Sequence, residues 1–150
     1  MEHKRRILPP VWFLLSMFAM LALHLLWPGA RVVPEPYNWL GIVPLALGLV
    51  VSLSAVKRFG RAGTPVVPFE RSTALVTGGA YRYTRNPMYL SLVVMLTGIA
   101  ILFGTLTPWL LIPFFVWVIA TRFIRGEERF MEDLFGTEYL AYKTRVRRWL

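Results

Sequence analysis

PMYLSLVVMLTGIAILFGTLTPWLLIPFFVWVIAT, residues 87–121, runs for 35 residues without a charge. An uncharged apolar run of about 18 or more residues reads as a membrane-spanning helix, and this one is nearly twice that length. It is interrupted by Gly104-Thr105-Leu106-Thr107-Pro108, a cluster of turn formers and helix breakers. The spacing predicts two short crossings joined by a tight hairpin. One long tilted helix is opposed by Gly104, Pro108 and Pro113.

Upstream lie two more uncharged blocks, Pro9 to Trp27 and Trp39 to Val56. The hydrophobic fraction of the chain is 56%, above the roughly 45–50% of soluble domains. The expected fold is all-α, an integral-membrane helical bundle in one domain spanning 1–150. Its four transmembrane helices fall at about 9–27, 39–56, 88–104 and 107–121, with a loop at 57–87 and an amphipathic helical tail at 122–150. Lys4-Arg5-Arg6 before the first block imitates a secretory signal. Such signals have a shorter apolar core and a small-residue cleavage site, whereas Leu25-Leu26-Trp27-Pro28 follows here, so the segment is expected to be retained.

The net charge of +9 would suit nucleic acid if it formed one patch, but its placement follows the membrane. Lys4, Arg5 and Arg6 precede the first block. Lys57, Arg58, Arg61, Arg71, Arg82 and Arg85 follow the second, and Arg122, Arg125, Arg129, Lys143, Arg145, Arg147 and Arg148 follow the fourth. Only Arg31 falls in an outer loop, so 16 of 17 basic residues share one side of a four-crossing chain. The positive-inside rule makes that side cytoplasmic and puts both termini there. Trp12, Trp27, Trp39 and Trp109 sit near block ends, as interfacial tryptophans do. The expected partners are membrane lipids, whose anionic headgroups attract the basic loops, and no nucleic acid. The absence of cysteine excludes disulfides, thiolate metal sites and a cysteine nucleophile; no metal site is expected.

Polar chemistry concentrates in the loop and the tail. The loop glycines do not form Gly-x-Gly-x-x-Gly, and no strand–helix alternation surrounds them, so a Rossmann-type cofactor site is excluded. Asn86-Pro87 reads as an N-cap followed by proline at the first helical position. Arg85, just ahead of it, suits either an anionic ligand or the headgroups. On a tail helix Ile124, Met131, Leu134 and Phe135 form an apolar arc opposite Arg125, Arg129, Glu132 and Asp133. Glu127 falls inside the apolar arc and Glu128 at its edge. Buried carboxylates cost several kcal/mol unless a cation or donors meet them, so the pair either forms ion pairs with loop arginines or awaits a ligand. After Gly136, Tyr139, Tyr142 and Val146 recur at i, i+3, i+7, and packing is the role expected of them in a second short helix along the interface.

Tyr81-x-x-x-Arg85-Asn86-Pro87-Met88-Tyr89, then Gly98, Glu127-Glu128 and Phe135-Gly136-x-x-Tyr139-x-x-Tyr142 resemble the signature of the isoprenylcysteine carboxyl methyltransferase family, to which phospholipid methyltransferases are related. The resemblance covers roughly residues 57 to 149. It differs at Asn86, where eukaryotic prenylcysteine enzymes of the family usually have His, at Gly79-Ala80-Tyr81 for Gly-Pro-Tyr, and at Val146-Arg147-Arg148-Trp149 for Val-Pro-Arg-Trp. The resemblance implies an S-adenosylmethionine-dependent membrane methyltransferase acting on a lipophilic, lipid-like acceptor. It implies that Arg85, Asn86, Tyr89, Glu127 and Glu128 belong to the cofactor and reaction site; within it Arg85 and Tyr89 are expected to serve the reaction, and Tyr81, Asn86, Tyr89, Glu127 and Glu128 the cofactor.

That chemistry suits a chain whose only histidines, His3 and His24, lie away from the loop and tail. Methyl transfer from a sulfonium is a direct displacement in which alignment and water exclusion are the main tasks. Glu127 and Glu128 would take the donor's ammonium or ribose hydroxyls, Tyr81 and Tyr89 would face its sulfonium, and Arg85 would steer a carboxylate. The acceptor remains open among a prenylcysteine carboxylate, a phospholipid amine and a thiol. Of the other classes, a small transporter would normally need an acidic or basic residue inside a crossing, and the four blocks contain no Asp, Glu, Lys or Arg. A non-catalytic membrane adaptor remains open.

Overall fold

The computed structural model describes residues 8–63 and 74–150. The basic Lys4-Arg5-Arg6 cluster, His3, and Pro65, Pro68 and Arg71 of the loop lie outside the described residues.

Helix α1, Pro9–Leu26, begins with two prolines where no helical N–H is needed. Helix α2, Ile42–Arg61, is entered through a 3-10 turn at Tyr37–Gly41. Helix α3 spans Pro87–Phe103. Helix α4, Leu111–Ile119, is entered through a 3-10 turn at Thr107–Leu110 and passes through a π-helical turn, Ala120–Ile124, into α5, Arg125–Arg145. Three helical units, Pro9–Leu26, Tyr37–Arg61 and Thr107–Arg145, are long and apolar enough to cross a membrane, and Pro87–Phe103 is a shorter apolar helix. Among the described residues there is no strand, only an isolated bridge between Arg31 and Thr105.

The hairpin expected at 104–108 is present. Gly104 takes φ +68° as the left-handed C-cap of α3. Its carbonyl accepts the N–H groups of Val32 at 2.8 Å and Val33 at 3.1 Å, so the α1–α2 connection fastens the turn. A Cβ there would stand 2.4 Å from the Val33 carbonyl oxygen.

Helix α3 is the centre of the bundle, with α2, α1 and α4 packed against it. The α2–α3 contact is a close approach of backbones: a Cβ on Gly98 would lie 2.6 Å from the Gly41 oxygen and 2.7 Å from the Leu45 nitrogen. Met20, Tyr89, Leu96, Ala100, Phe115, Ile119, Phe123 and Ile124 form the main buried cluster. Leu14, Phe18, Val43, Leu47 and Val50 are exposed, an apolar exterior that suits lipid rather than water.

The tail differs from expectation in how it begins. No break separates span from tail at 121–122; the helix is continuous because Gly126 is the sole glycine, and no proline occurs, between Pro113 and Gly136. The π turn admits one extra residue, which turns every later side chain by about 100°. The chain reverses instead at Gly136, at φ 50°, ψ −122°. The second arm folds back so that Tyr139, Tyr142 and Val146 are buried beside Leu75, Met131 and Phe135, and Lys143 pairs with Glu132 across the bend. Leu134, expected in the buried arc, is 46% exposed, because the returning arm covers the Met131 and Phe135 side.

Candidate active site

The loop re-enters the fold at Gly78-Gly79. Gly79 adopts φ +64° and opens a short 3-10 turn, Gly79–Arg82. The Arg58 guanidinium lies directly over it, so a Cβ there would meet Arg58 Nε at 2.1 Å. This turn buries Tyr81, whose ring meets Phe59 edge-on at 5.6 Å. The Tyr142 hydroxyl donates to the Tyr81 carbonyl at 2.7 Å, so the tail arm clamps the loop.

Asn86 stands at the N-cap position of α3, as its sequence context predicts, but its side chain does not cap the helix. Nδ2 donates instead to the Arg148 carbonyl at 3.0 Å. The Thr84 hydroxyl donates to the same carbonyl at 3.1 Å and accepts the Asn86 N–H at 3.1 Å. The Arg85 N–H donates to the Arg147 carbonyl at 2.9 Å. The segment after α5 is thus docked on the residues leading into α3, in spite of its departure from Val-Pro-Arg-Trp.

The two carboxylates have separate fates. Glu128 is 6% exposed. Arg148 donates to it in two-pronged fashion, Nε to Oε1 at 2.9 Å and Nη2 to Oε2 at 2.6 Å, while Arg85 Nη2 lies 3.2 Å from Oε1. Burial opposes its ionisation, but the Arg148 hydrogen bonds and the charges of Arg85, Arg148 and Lys143 prevail and hold the carboxyl below its ordinary range. The ion pair with a loop arginine, one of the two roles open to the carboxylates, is realised at Glu128. Glu127 has no ion-pair partner among the described residues. Oε1 accepts the Tyr89 hydroxyl at 2.6 Å. Burial raises its proton affinity above the ordinary carboxylate range; the Tyr89 hydrogen bond works against this and the Glu128 charge adds to it. Burial also raises the Tyr81 phenol, and the Tyr142 and Glu127 charges add to the effect.

Among the described residues Arg85 is the only one with two buried side-chain polar atoms left unpartnered. Its side chain is 9% exposed, and Nε and Nη1 have no hydrogen-bond partner among the described residues. Buried donors are rarely left so.

Of the six residues singled out in the sequence, the structure joins Tyr89 to Glu127 and Arg85 to Glu128, and sets Tyr81 beside Glu127 and Asn86 beside Arg85. Asn86 and Glu128 spend polar atoms on Arg148, which sequence reasoning passed over, as it did Thr84 and Phe123. The Phe123 ring lies 6.4 Å from that of Tyr89. The available signal for Arg148 was two buried-face carboxylates in need of cations and a basic pair set between Val146 and Trp149. His24 lies at the other end of α3, its Nδ1 2.9 Å from Thr105 Oγ1. Among the described residues no group of three or more His, Cys, Asp or Glu could hold a metal ion.

A family model described as phospholipid methyltransferase matches residues 37–138. The chain is 27% identical over 135 residues to protein-S-isoprenylcysteine O-methyltransferase A of Arabidopsis thaliana, covering 89% of this chain and 68% of that protein. It is 30% identical over 104 residues to the protein-S-isoprenylcysteine O-methyltransferase of Schizosaccharomyces pombe, covering 68% of this chain and 44% of that one. An uncharacterized protein of Haemophilus influenzae is 43% identical over 63 residues, which is its whole length and 42% of this chain.

Proposed function

This chain belongs to the phospholipid methyltransferase family, and we propose on that premise that it moves a methyl group from S-adenosylmethionine to a lipophilic acceptor at the cytoplasmic face of a membrane. The observation that carries the reading is Glu127, a partly buried carboxylate bonded to a tyrosine but paired with no cation among the described residues. It lies next to Glu128, whose partner Arg85 keeps two unspent donors. A zwitterionic amino-acid head with a nearby sulfonium fits such a donor set: Glu127 for the ammonium, Arg85 for a carboxylate, and the rings of Tyr81 and Tyr89 for positive charge. Bound there, S-adenosylmethionine would supply an electrophilic methyl group. The residues of the chain bind, orient and exclude water.

In titration calorimetry on the detergent-purified protein, S-adenosylmethionine should bind saturably. Glu127→Gln should weaken binding by about tenfold or more, since a hydrogen bond to a charged group contributes about 1.5–3 kcal/mol, with the protein still folded. A folded wild type that fails to bind would favour the adaptor reading.

The acceptor is taken to be prenylcysteine-like, because the Arabidopsis and fission-yeast relatives carry that name; the chain spans 68% and 44% of their lengths. A carboxylate acceptor needs no base, which suits a site with no histidine among its described residues. Methylation of a phospholipid amine is the second reading, favoured by the raised proton affinity of Glu127, which equips it to take the proton an amine must lose. Labelled donor with vesicles containing phosphatidylethanolamine, or with a farnesylated cysteine, separates the two.

The same reading places all 150 residues in one domain that crosses the membrane four times. At 17 residues, α3 is about 25 Å long, near the lower limit for a span. The basic asymmetry then puts both termini, the site and the α5 tail on the cytoplasmic side.

A further inference from the structure

Glu128 meets two arginines unequally, accepting two hydrogen bonds from Arg148 and forming a single ion-pair contact with Arg85. Arg148 takes both carboxylate oxygens, and Arg85 reaches only Oε1 through Nη2. Arg85 Nε and Nη1 are left without partners among the described residues although the side chain is buried. Arginine and carboxylate prefer a two-pronged pair, so a Glu128 free of Arg148 would have a reason to take Arg85 that way, through Nη2 and Nε, and so consume one of its two unpartnered nitrogens. Arg148 also holds Thr84 and Asn86 on either side of Arg85 through its own carbonyl. The Arg85 backbone N–H is fixed on the Arg147 carbonyl, and Trp149 packs on the main buried cluster.

We propose that Val146-Arg147-Arg148-Trp149 is a strap and that Arg148 is a positioning residue: by occupying Glu128 it holds Arg85 to one ion-pair contact through Nη2 and keeps Nε and Nη1 available to an anionic group. Arg148 touches no ligand in this scheme and acts through Glu128 and Arg85. The proposal rests on the methyl-donor reading only for what Arg85 then binds.

The test pairs two readouts on the full chain in detergent. In arginine-labelled protein, with the Arg85 Nε–H resonance assigned by Arg85→Lys, Arg148→Gln should move that resonance toward the position of a carboxylate-bonded guanidinium. Arg148→Lys, which keeps a charge but cannot grip both oxygens, should move it part of the way. Arg145→Gln, an exposed loss of the same charge, should leave it in place. In titration with S-adenosylmethionine, Arg148→Gln should raise Kd by about tenfold, the size of one charge-assisted hydrogen bond, with Arg148→Lys intermediate. An Arg85 resonance unmoved in folded Arg148→Gln overturns the strap. Equal Kd values for wild type, Arg148→Gln and Arg148→Lys overturn it as well. A wild type that binds no S-adenosylmethionine, with the resonance moving as expected, overturns the donor reading and leaves the strap supported.

Discussion

Glu127 and Glu128 are neighbours in the chain, yet the fold moves their proton affinities in opposite directions. The sign of each shift fixes a pH dependence. Glu127 holds its proton more tightly folded than unfolded, so it favours folding at low pH. That contribution is lost as pH rises from the ordinary glutamate value of about 4.3 through its raised one. Glu128 has the depressed affinity. Its contribution is complete above about 4.3 and disappears as pH falls through its lowered value. Donor binding through an ionised Glu127 should therefore strengthen as pH rises across a window above the ordinary glutamate range, and Glu127→Gln should abolish that slope. Calorimetric titrations over pH 4.5–7.5 would show it; a flat profile in the wild type would remove Glu127 from contact with the ammonium. At this scale the two glutamates were legible because an acidic pair on an apolar arc is costly and therefore conspicuous. Arg148 was not, since an arginine among four basic residues near the chain's last turn looks the same whether it faces headgroups or a buried carboxylate. Asn86 illustrates a different limit: its place before Pro87 correctly marked the helix start, but only the folded partner, 62 residues away, decides what its amide bonds.

Helices α2 and α3 owe their contact to residues that have nothing to pack. Gly98→Ala would push a methyl group against the Gly41 carbonyl and the Leu45 backbone, atoms that cannot yield without separating the helices. It should cost about 1–3 kcal/mol as overpacking does, read as a lower melting temperature in detergent. Gly60→Ala, where nothing lies within 4 Å, should stay within about 1 kcal/mol of wild type. A Gly98→Ala protein as stable as wild type would mean that the two helices are not held at this distance. The hairpin after α3 was legible from Gly104 and Pro108, because left-handed caps and first-turn prolines are local devices. The π turn at Ala120–Ile124 was not: no residue type announces an extra residue in a helix, and the sequence there reads as an uninterrupted passage from apolar to charged.

For the molecule as a whole, the distribution of uncharged blocks and the one-sided basic loops carried the reading of an all-helical membrane protein, and the three long apolar helices agree with it. The number of crossings turns on α3, whose 17 residues fall at the margin that length alone resolves poorly. The lack of cysteine offers a direct test. Glu35→Cys, between α1 and α2, should react with a membrane-impermeant maleimide added to intact spheroplasts, and Glu138→Cys, in the tail, only after permeabilisation. Both reacting from the same side would refute four crossings. What no block pattern could convey is that residues 85, 128 and 148 converge, since contacts between distant positions leave no trace in periodicity.

The meeting of Arg148 with Glu128 also ties the end of the returning arm to the helix it folds back on, closing a ring of chain about the Gly136 bend. Because the Arg147 and Arg148 carbonyls in turn hold Arg85, Thr84 and Asn86, the bend and the entrance to α3 share one fastening, and loosening either should loosen both.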